Sequence, residues 1–131
     1  MEGSLKLKEV SYIHSESYAA GELKHGTISL IDEDVPVIAV ATQTDIIPKT
    51  ISNVVEVKSR GAKVILVCTD ACARELKDGV ADYVIEIPHT DELLMPITAV
   101  VPLQILAYYT SINRGIDPDK PKNLAKSVTV E

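Results

Sequence analysis

A lysine and a glutamate stand three residues apart near the start of the chain, at Lys6 and Glu9. Residues at this spacing share a face of an α-helix, so their side chains can reach each other. One interpretation is a surface ion pair, which contributes roughly a few tenths of a kcal/mol. The other is a carboxylate general base whose ionised form is stabilised by the neighbouring ammonium group. The spacing is compatible with both.

Two further side chains are suited to proton transfer or covalent chemistry. His25 precedes a glycine in a predicted turn, where an imidazole is either an exposed spectator or an acid–base group that titrates near neutrality. Lys126 is the one charged residue in the segment 123–129. A desolvated lysine can attack a carbonyl carbon and form a Schiff base. Spacing alone does not choose between a catalytic and an ordinary role for either residue.

Signals for a cofactor or a metal are weak in this chain. There is no G-x-G-x-x-G or P-loop pattern, and the chain has only six glycines. The segment 41–44, Ala-Thr-Gln-Thr, follows a predicted strand at the edge where α/β sheets bind ligands, but a polar connecting loop has the same composition. A metal site at Cys68 and Cys72 would need more ligands at tighter spacing, and only His89 lies nearby in sequence. We therefore predict two reduced thiols, no metal and no cofactor.

Length and composition predict one globular domain with an aliphatic core. The chain has 131 residues, with five Tyr as its only aromatic residues. Its net charge of −6 argues against binding of nucleic acid or an anionic membrane, both of which need clustered Lys and Arg. The uncharged segment 93–113 is interrupted by two prolines and several polar residues. We therefore predict a buried central helix there rather than a membrane span.

The elements that must position these residues alternate along the chain. Short β-branched runs predict strands at 35–40, 63–68 and 83–87, with helices at 5–13, 45–60, 71–78 and 91–114. A short strand is also expected at 15–18, and a short helix with a loop at 21–31. Nearly unbroken apolar runs are typical of parallel strands buried on both faces. The pattern predicts an α/β fold, a three-layer αβα sandwich with a mainly parallel sheet whose first strand is missing.

Helix boundaries are predicted from capping signals. Asp45 is expected to cap the second helix, with Pro48 in its first turn and Gly61 at its end. The apolar face of that helix is expected to contain Ile47, Ile51, Val54 and Val55. In the last helix, Pro102 should cause a bend or mark where an irregular first segment gives way to regular helix, and Gly115 should end the helix. The segment 116–131 is either a frayed terminus or packs back on the domain.

Several blocks of the sequence resemble one enzyme family. They are Lys6-Leu-Lys-Glu9, Gly21-Glu-Leu-Lys-His-Gly26, Pro102-Leu-Gln-Ile-Leu-Ala-Tyr-Tyr109 and Asn123-Leu-Ala-Lys-Ser-Val-Thr-Val-Glu131. In this order they are similar to the glucosamine-6-phosphate synthases, also called glutamine–fructose-6-phosphate aminotransferases (isomerising). The resemblance implies a sugar-isomerase (SIS) domain, Rossmann-like or flavodoxin-like, at 1–115 and an active-site tail at 116–131. It corresponds to the second of the family's two SIS domains. The first SIS domain and the glutaminase domain would be missing partners.

The resemblance also implies roles for four residues. Glu9 matches the base that moves a proton between C1 and C2 of the sugar, and Lys6 matches the lysine near the reacting oxygens. His25 matches a ring-opening histidine supplied by a neighbouring subunit. Lys126 matches the lysine that forms a Schiff base with the open-chain ketose.

The function implied is the isomerase part of the conversion of fructose 6-phosphate and glutamine to glucosamine 6-phosphate and glutamate. A cytoplasmic homodimer is expected, and the chain alone is expected to be inactive. The alternatives are a stand-alone SIS module that binds a phosphosugar for regulation, and a subunit that completes its site with a separately encoded partner.

Overall fold

The computed structural model of the protein describes residues 1–122. The helices and strands, in chain order, are α1 (Glu2–Ser11), β1 (Pro36–Ala41), α2 (Ile47–Lys58), β2 (Lys63–Thr69), α3 (Asp70–Glu75), β3 (Tyr83–Ile87) and α4 (Met95–Asn113). Short 3-10 helices occupy Ala20–His25, Thr27–Leu30 and Thr44–Ile46. The chain divides into two compact units. The terminal unit comprises, within the described part, residues 1–17 and 103–122, and the sheet unit comprises residues 18–102.

The sheet unit is built on three parallel strands in the order β1-β2-β3. The central strand β2 is the most buried, with Val64, Leu66, Val67 and Cys68 fully inaccessible to solvent. Its β-branched and aliphatic side chains suit a strand covered on both faces. The predicted α/β fold with a parallel sheet is therefore confirmed, and the three predicted strands are found within one residue of their bounds.

Helix α2 packs on this sheet, but two details of its prediction are wrong. Asp45 does not cap it, because Asp45 belongs to the preceding 3-10 helix and the cap residue is Ile46, which makes no side-chain cap bond. On its apolar face, Val57 is buried whereas Val55 is exposed. Residues 54 and 57 are three apart and share a face, whereas 55 turns about 100° away from 54.

The turn after α2 requires a glycine. Gly61 has φ 94°, and a Cβ at this position would lie 3.0 Å from the Glu33 Cα atom. Its carbonyl accepts a hydrogen bond from the Asp34 backbone N–H at 2.9 Å. A larger residue would meet both the left-handed backbone and this close approach.

An aspartate network joins β2 to the loop before β3. Asp82 accepts hydrogen bonds from Lys58 Nζ at 2.5 Å and from the Val64 backbone N–H at 2.7 Å, and Lys63 Nζ lies 3.3 Å from its other oxygen. These contacts, with the Lys58 bond the largest cause, hold the pKa of the Asp82 carboxyl well below its usual range. The ionised carboxylate therefore supports the register at the start of β2.

The Asp82 contacts predict a dependence of stability on pH. A lowered pKa in the folded state means that Asp82 stabilises the fold above its unfolded pKa of about 4, and that this stabilisation is lost as the pH falls below that value. We expect Asp82→Asn to lower the melting temperature at neutral pH by on the order of 5 °C and to flatten its decline at acidic pH. Thermal melts at several pH values test this, with the exposed Asp78→Asn as control. Parallel curves for Asp82→Asn and the unmodified chain would contradict it.

The terminal unit packs α1 against the later part of α4. A Cβ added to Gly3 would lie 2.9 Å from the Leu103 Cβ atom, so the two helices approach closely there. The short strand predicted at 15–18 is wrong, because these residues form no strand. Instead Ser4 Oγ donates to the Ser15 carbonyl at 2.9 Å, and Ser15 Oγ donates to the Ser4 carbonyl at 3.0 Å. Side-chain bonds of this kind compete with strand pairing.

Helix α4 differs from the buried central helix that its composition predicts. It begins at Met95, because residues 91–94 form a turn in which Asp91 Oδ1 accepts from the Leu93 N–H. Pro102 lies inside it, and Gly115 after it has φ 69°. Its buried residues are Met95, Ala99, Ala107 and Ser111. Its exposed apolar residues are Ile97, Val101, Ile105, Tyr108, Tyr109 and Ile112. The prediction of full burial is therefore wrong for this helix.

Of the helices in residues 1–122, α4 is the one whose length and apolar composition would also allow it to cross a membrane. A single helix of this kind is a weak indication, because the long apolar helices of globular proteins share both properties.

Candidate active site

Lys6 and Glu9 are in direct contact on one face of α1. Lys6 Nζ donates a hydrogen bond to Glu9 Oε2 at 2.5 Å, and Glu2 Oε1 lies 3.6 Å from the same nitrogen. The contact arises from the helix itself, which places residues three apart side by side. The side chain of Glu9 is 22% exposed and that of Lys6 is 32% exposed. Both groups are therefore partly shielded but still accessible to a ligand.

The charges of this pair favour an ammonium next to a carboxylate. The hydrogen bond from Lys6 to Glu9 raises the pKa of the lysine above its ordinary value, and the negative charges of Glu9 and Glu2 act in the same direction. Lys6 is thus a cation at neutral pH. A carboxylate can accept a proton from carbon, while the ammonium beside it can stabilise negative charge on a neighbouring oxygen.

His25 lies at the end of the 3-10 helix Ala20–His25, in the sheet unit. Its Nδ1 atom is 2.9 Å from Glu22 Oε2, and its side chain is 73% exposed. Gly26 follows with φ 144°, a backbone conformation that favours glycine. A carboxylate beside Nδ1 favours the tautomer that carries a proton there, so Nε2 is left to exchange a proton with a ligand. The sequence prediction missed Glu22 as a partner, although its spacing of three from His25 was visible.

An ion-pair network attaches this 3-10 helix to α2. Lys24 Nζ lies 2.6 Å from Glu56 Oε2, and Arg60 Nη2 lies 3.3 Å from Glu56 Oε1. The Lys24 bond is the main reason why the pKa of Glu56 is lowered. Leu23, from the same short helix, packs against the hydrophobic core of the sheet unit. The segment that contains His25 is therefore fixed by one apolar contact and one charged contact.

The predicted site residues fall into three groups. Lys6 and Glu9 lie together in the terminal unit, and His25 lies in the sheet unit. Lys126 lies outside the described residues. The segment 41–44, the other candidate ligand loop, includes the end of β1 and the start of the 3-10 helix Thr44–Ile46.

The two cysteines are buried, free thiols. Cys68 is at the end of β2 and Cys72 is in α3, where Thr69 caps the helix by accepting from the Cys72 N–H at 3.4 Å. Burial, followed by the proximity of Cys72, raises the pKa of the Cys68 thiol to about 12. Within residues 1–122, no three His, Cys, Asp or Glu side chains are grouped as metal ligands.

The raised pKa predicts that Cys68 is unreactive in the folded chain. At pH 8 its thiolate fraction is on the order of a thousandfold below that of an unperturbed cysteine. We expect iodoacetamide to leave Cys68 unmodified in the native chain and to modify it rapidly in denaturant, as measured by peptide mass spectrometry. Rapid modification of Cys68 in the native chain would contradict the burial of this thiol.

Comparison with protein families identifies the fold. The sequence model of the SIS domain matches residues 1–114. The chain belongs to the SIS domain family. Among curated proteins, the chain is 58% identical over 131 residues to glutamine–fructose-6-phosphate aminotransferase (isomerising) of Clostridium perfringens. The match covers 100% of this chain and 22% of that protein. The chain thus spans about one-fifth of the length of this relative.

Two solved structures are similar to this SIS domain. The C-terminal domain of glucosamine-fructose-6-phosphate aminotransferase from Francisella tularensis has a TM-score of 0.82 and 40% identity, and the match covers 88% of this chain and 32% of that one. Glucosamine-6-phosphate deaminase from Thermotoga maritima has a TM-score of 0.69 and 28% identity, with coverage of 96% and 35%. The resemblance noted in the sequence is therefore confirmed over the full chain.

Proposed function

We propose that this SIS domain is the C-terminal isomerase part of an enzyme that converts fructose 6-phosphate and glutamine to glucosamine 6-phosphate and glutamate. The observation that supports this most strongly is the 58% identity over all 131 residues to an aminotransferase of that name. The direct contact of Lys6 with Glu9 within the Lys-Leu-Lys-Glu block adds a geometric argument. The domains that release ammonia and bind the sugar phosphate are then separate from this chain.

In the proposed reaction, Glu9 is the base that transfers a proton between C1 and C2 of the sugar. Lys126 attacks the C2 carbonyl through its amine and water leaves, which gives an imine at C2. Ammonia released from glutamine then adds to C2 and displaces the lysine amine, so the new C=N bond contains the nitrogen of the product and makes the C1 protons more acidic. Glu9 then removes a C1 proton and returns one to C2. Lys6, as a cation, stabilises negative charge on the sugar oxygens during this transfer.

His25 is proposed to open the sugar ring by proton exchange at Nε2. Glu22 supports this role because its carboxylate lies 2.9 Å from Nδ1. We further propose that the working enzyme is a cytoplasmic homodimer in which this histidine serves the neighbouring subunit. Light scattering of the enzyme tests the dimer, and a mass equal to one subunit at high concentration would contradict it.

The proposed function predicts no synthase activity for the isolated 131-residue chain. We define the chimera as the Clostridium perfringens relative in which the matching segment is replaced by this chain. We expect the chimera to form glucosamine 6-phosphate from fructose 6-phosphate and glutamine, and the isolated chain to form none. Activity of the isolated chain would contradict the proposal. An inactive but folded chimera would favour a phosphosugar-binding module without catalysis.

A further inference from the structure

The later half of α4, which lies in the terminal unit, is apolar on two opposite sides. One side contains Ala107 and Ser111, which are buried, and Ser111 Oγ lies 2.8 Å from the Val10 carbonyl oxygen of α1. The other side contains four apolar residues that we call the α4 face, namely Ile105, Tyr108, Tyr109 and Ile112. Each residue of a helix turns about 100°, so the α4 face points away from the side that α1 covers.

The α4 face has the spacing of a helix side that another element covers. Its residues occupy positions i, i+3, i+4 and i+7, which is the pattern of helices that face a core. Their exposed fractions are nevertheless between 47% and 59%. Contiguous groups of large apolar side chains on a protein surface mark interaction sites. The pattern therefore indicates a surface that binds a partner.

The absence of charge on the α4 face favours a second copy of the chain as its partner. Helix α4 has no Asp, Glu, Lys or Arg between Met95 and Asn113. In a dimer with two-fold symmetry the same surface of both chains meets itself, so a charged group near the axis would face an identical charge. An uncharged apolar face avoids that repulsion and is complementary to its own copy.

The order of side chains along the α4 face is the same in both directions. The two tyrosines are adjacent at its centre, and an isoleucine lies three residues away from the nearer tyrosine on each side. Two antiparallel copies therefore place Ile105 of one chain opposite Ile112 of the other, with the four tyrosine rings between them. Rows of side chains four residues apart, here 105–109 and 108–112, also fit into the grooves between the same rows on another helix.

The two tyrosines at the centre of the α4 face contact each other. The ring centroids of Tyr108 and Tyr109 are 5.4 Å apart and their planes are inclined at 78°, which is an edge-to-face arrangement. Rings that already pack on each other lose less freedom when a partner binds. Tyrosine is also enriched at interfaces, because its ring is apolar and its hydroxyl can remain hydrated. The pair is therefore suited to be the anchor of an interface.

The exposed area of the α4 face sets the expected strength of this pairing. An aromatic side chain buries about 150–250 Å² in full, so the four half-exposed side chains contribute roughly 350 Å² per chain. With the residues around the face, the pair buries about 1,000 Å², at the low end of the size range for specific complexes. Interfaces of this size are typical of weak association, and we expect a Kd on the order of 100 μM.

We propose that the α4 face is a self-association surface, through which two copies of the chain pair with antiparallel α4 helices. The inference rests on the proposed function only for the homodimer, to which it assigns a surface. It needs none of the catalytic roles proposed for other residues. Its tests use the isolated chain, so its failure is distinguishable from failure of the homodimer, which light scattering of the longer enzyme decides.

The first test is sedimentation equilibrium of the 131-residue chain from about 10 μM to about 1 mM. We expect the average mass to rise from one chain towards two, and Ile105→Glu to weaken the pairing by more than about tenfold because it places two like charges in the interface. The matched control is Leu30→Glu, which introduces the same charge at an exposed leucine of the sheet unit and should pair normally. A mass of one chain at every concentration, or equal weakening in both variants, would overturn the proposal.

The second test locates the interface in the unmodified chain and needs no variant. In NMR spectra over the same concentrations, the amide signals of residues 105–112 and the ring signals of Tyr108 and Tyr109 should shift on dilution. The amide signals of β2 should stay constant. A chain that pairs without shifts in residues 105–112 would place the interface on another surface and would overturn the proposal.

The remaining part of a longer enzyme is the other possible occupant of the α4 face. The chimera distinguishes it from a second copy. If the isolated chain stays monomeric at about 1 mM while Ile105→Glu, but not Leu30→Glu, prevents the chimera from folding, the face is covered within the longer enzyme and self-association is wrong.

Discussion

Substituting Glu9 by glutamine in the chimera is expected to reduce glucosamine 6-phosphate formation by about 10²–10⁴-fold. The substitution keeps the size and shape of the side chain and leaves the amide oxygen within reach of Lys6, whose Nζ lies 2.5 Å from Oε2. It removes the negative charge and the ability to accept a proton from carbon. The loss should therefore appear in kcat, with KM for fructose 6-phosphate nearly unchanged.

A matched control for this substitution is available on the same helix. Glu2 lies 3.6 Å from Lys6 Nζ, on the opposite side of the lysine from Glu9 along the sequence. Glu2→Gln removes the same charge near the same ammonium but does not remove the proposed base. We expect it to keep activity within about threefold, the range of a lost exposed ion pair. Equal losses in the two variants would show that charge around Lys6, rather than proton transfer by Glu9, is what matters.

The second large effect is expected at Lys126. Lys126→Arg retains a positive charge, but a guanidinium does not form a Schiff base with the ketose. In the unmodified chimera, borohydride reduces the imine between Lys126 and fructose 6-phosphate to a stable adduct, and we expect this adduct to be lost completely in Lys126→Arg. We also expect kcat to fall by about a thousandfold, equivalent to about 4 kcal/mol of transition-state stabilisation. The measurement combines intact-protein mass spectrometry with steady-state kinetics.

Lys120→Arg is the control for this experiment, because Lys120 is an exposed lysine of the same tail. We expect this variant to form the adduct at the normal rate. An adduct that persists in Lys126→Arg would move the covalent role to another lysine. A normal kcat without an adduct would show that the imine is not on the reaction path.

Glu9 and Lys126 are proposed to act in successive steps of one reaction, so the effects of their substitutions should depend on each other. Glu9 acts on a proton that the C2 imine has made acidic, and that imine forms by way of the Lys126 adduct, so the losses from the two substitutions should not add. The double variant is expected to be little worse than the more damaged single variant, as is usual for groups that act as a unit. Additive losses would indicate that the two residues act in separate steps.

Much of the sheet unit could be predicted from local sequence. Strands buried on both faces need continuous apolar runs, and the three runs in this chain correspond to β1, β2 and β3 within one residue. Gly61 and Gly115 were predicted as helix-ending residues, and both have positive φ. These features depend on interactions within a few residues, and such interactions are encoded in the residue types themselves.

Two other local predictions were wrong because the backbone formed a different local structure at these positions. Asp45 has the type of a cap residue, but the chain there winds into a 3-10 helix before α2 begins at Ile47. The segment 15–18 was predicted as a short strand, but Ser15 pairs with Ser4 instead of with a strand. Residue type gives a preference in such cases, and the neighbouring backbone decides which bond forms.

The features of the proposed site also divide into those that the local sequence determines and those that it does not. By itself, the sequence determined that Lys6 and Glu9 would meet, because a spacing of three on a helix places them together. The resemblance of its sequence blocks also determined the family, which the match over residues 1–114 confirmed. Only the tertiary structure decided that the Tyr12 hydroxyl would bind the Lys122 backbone and that α4 would expose much of its apolar surface. A contact between residues 110 positions apart in the sequence depends on how the elements of the fold pack together, and a local sequence pattern does not determine that packing.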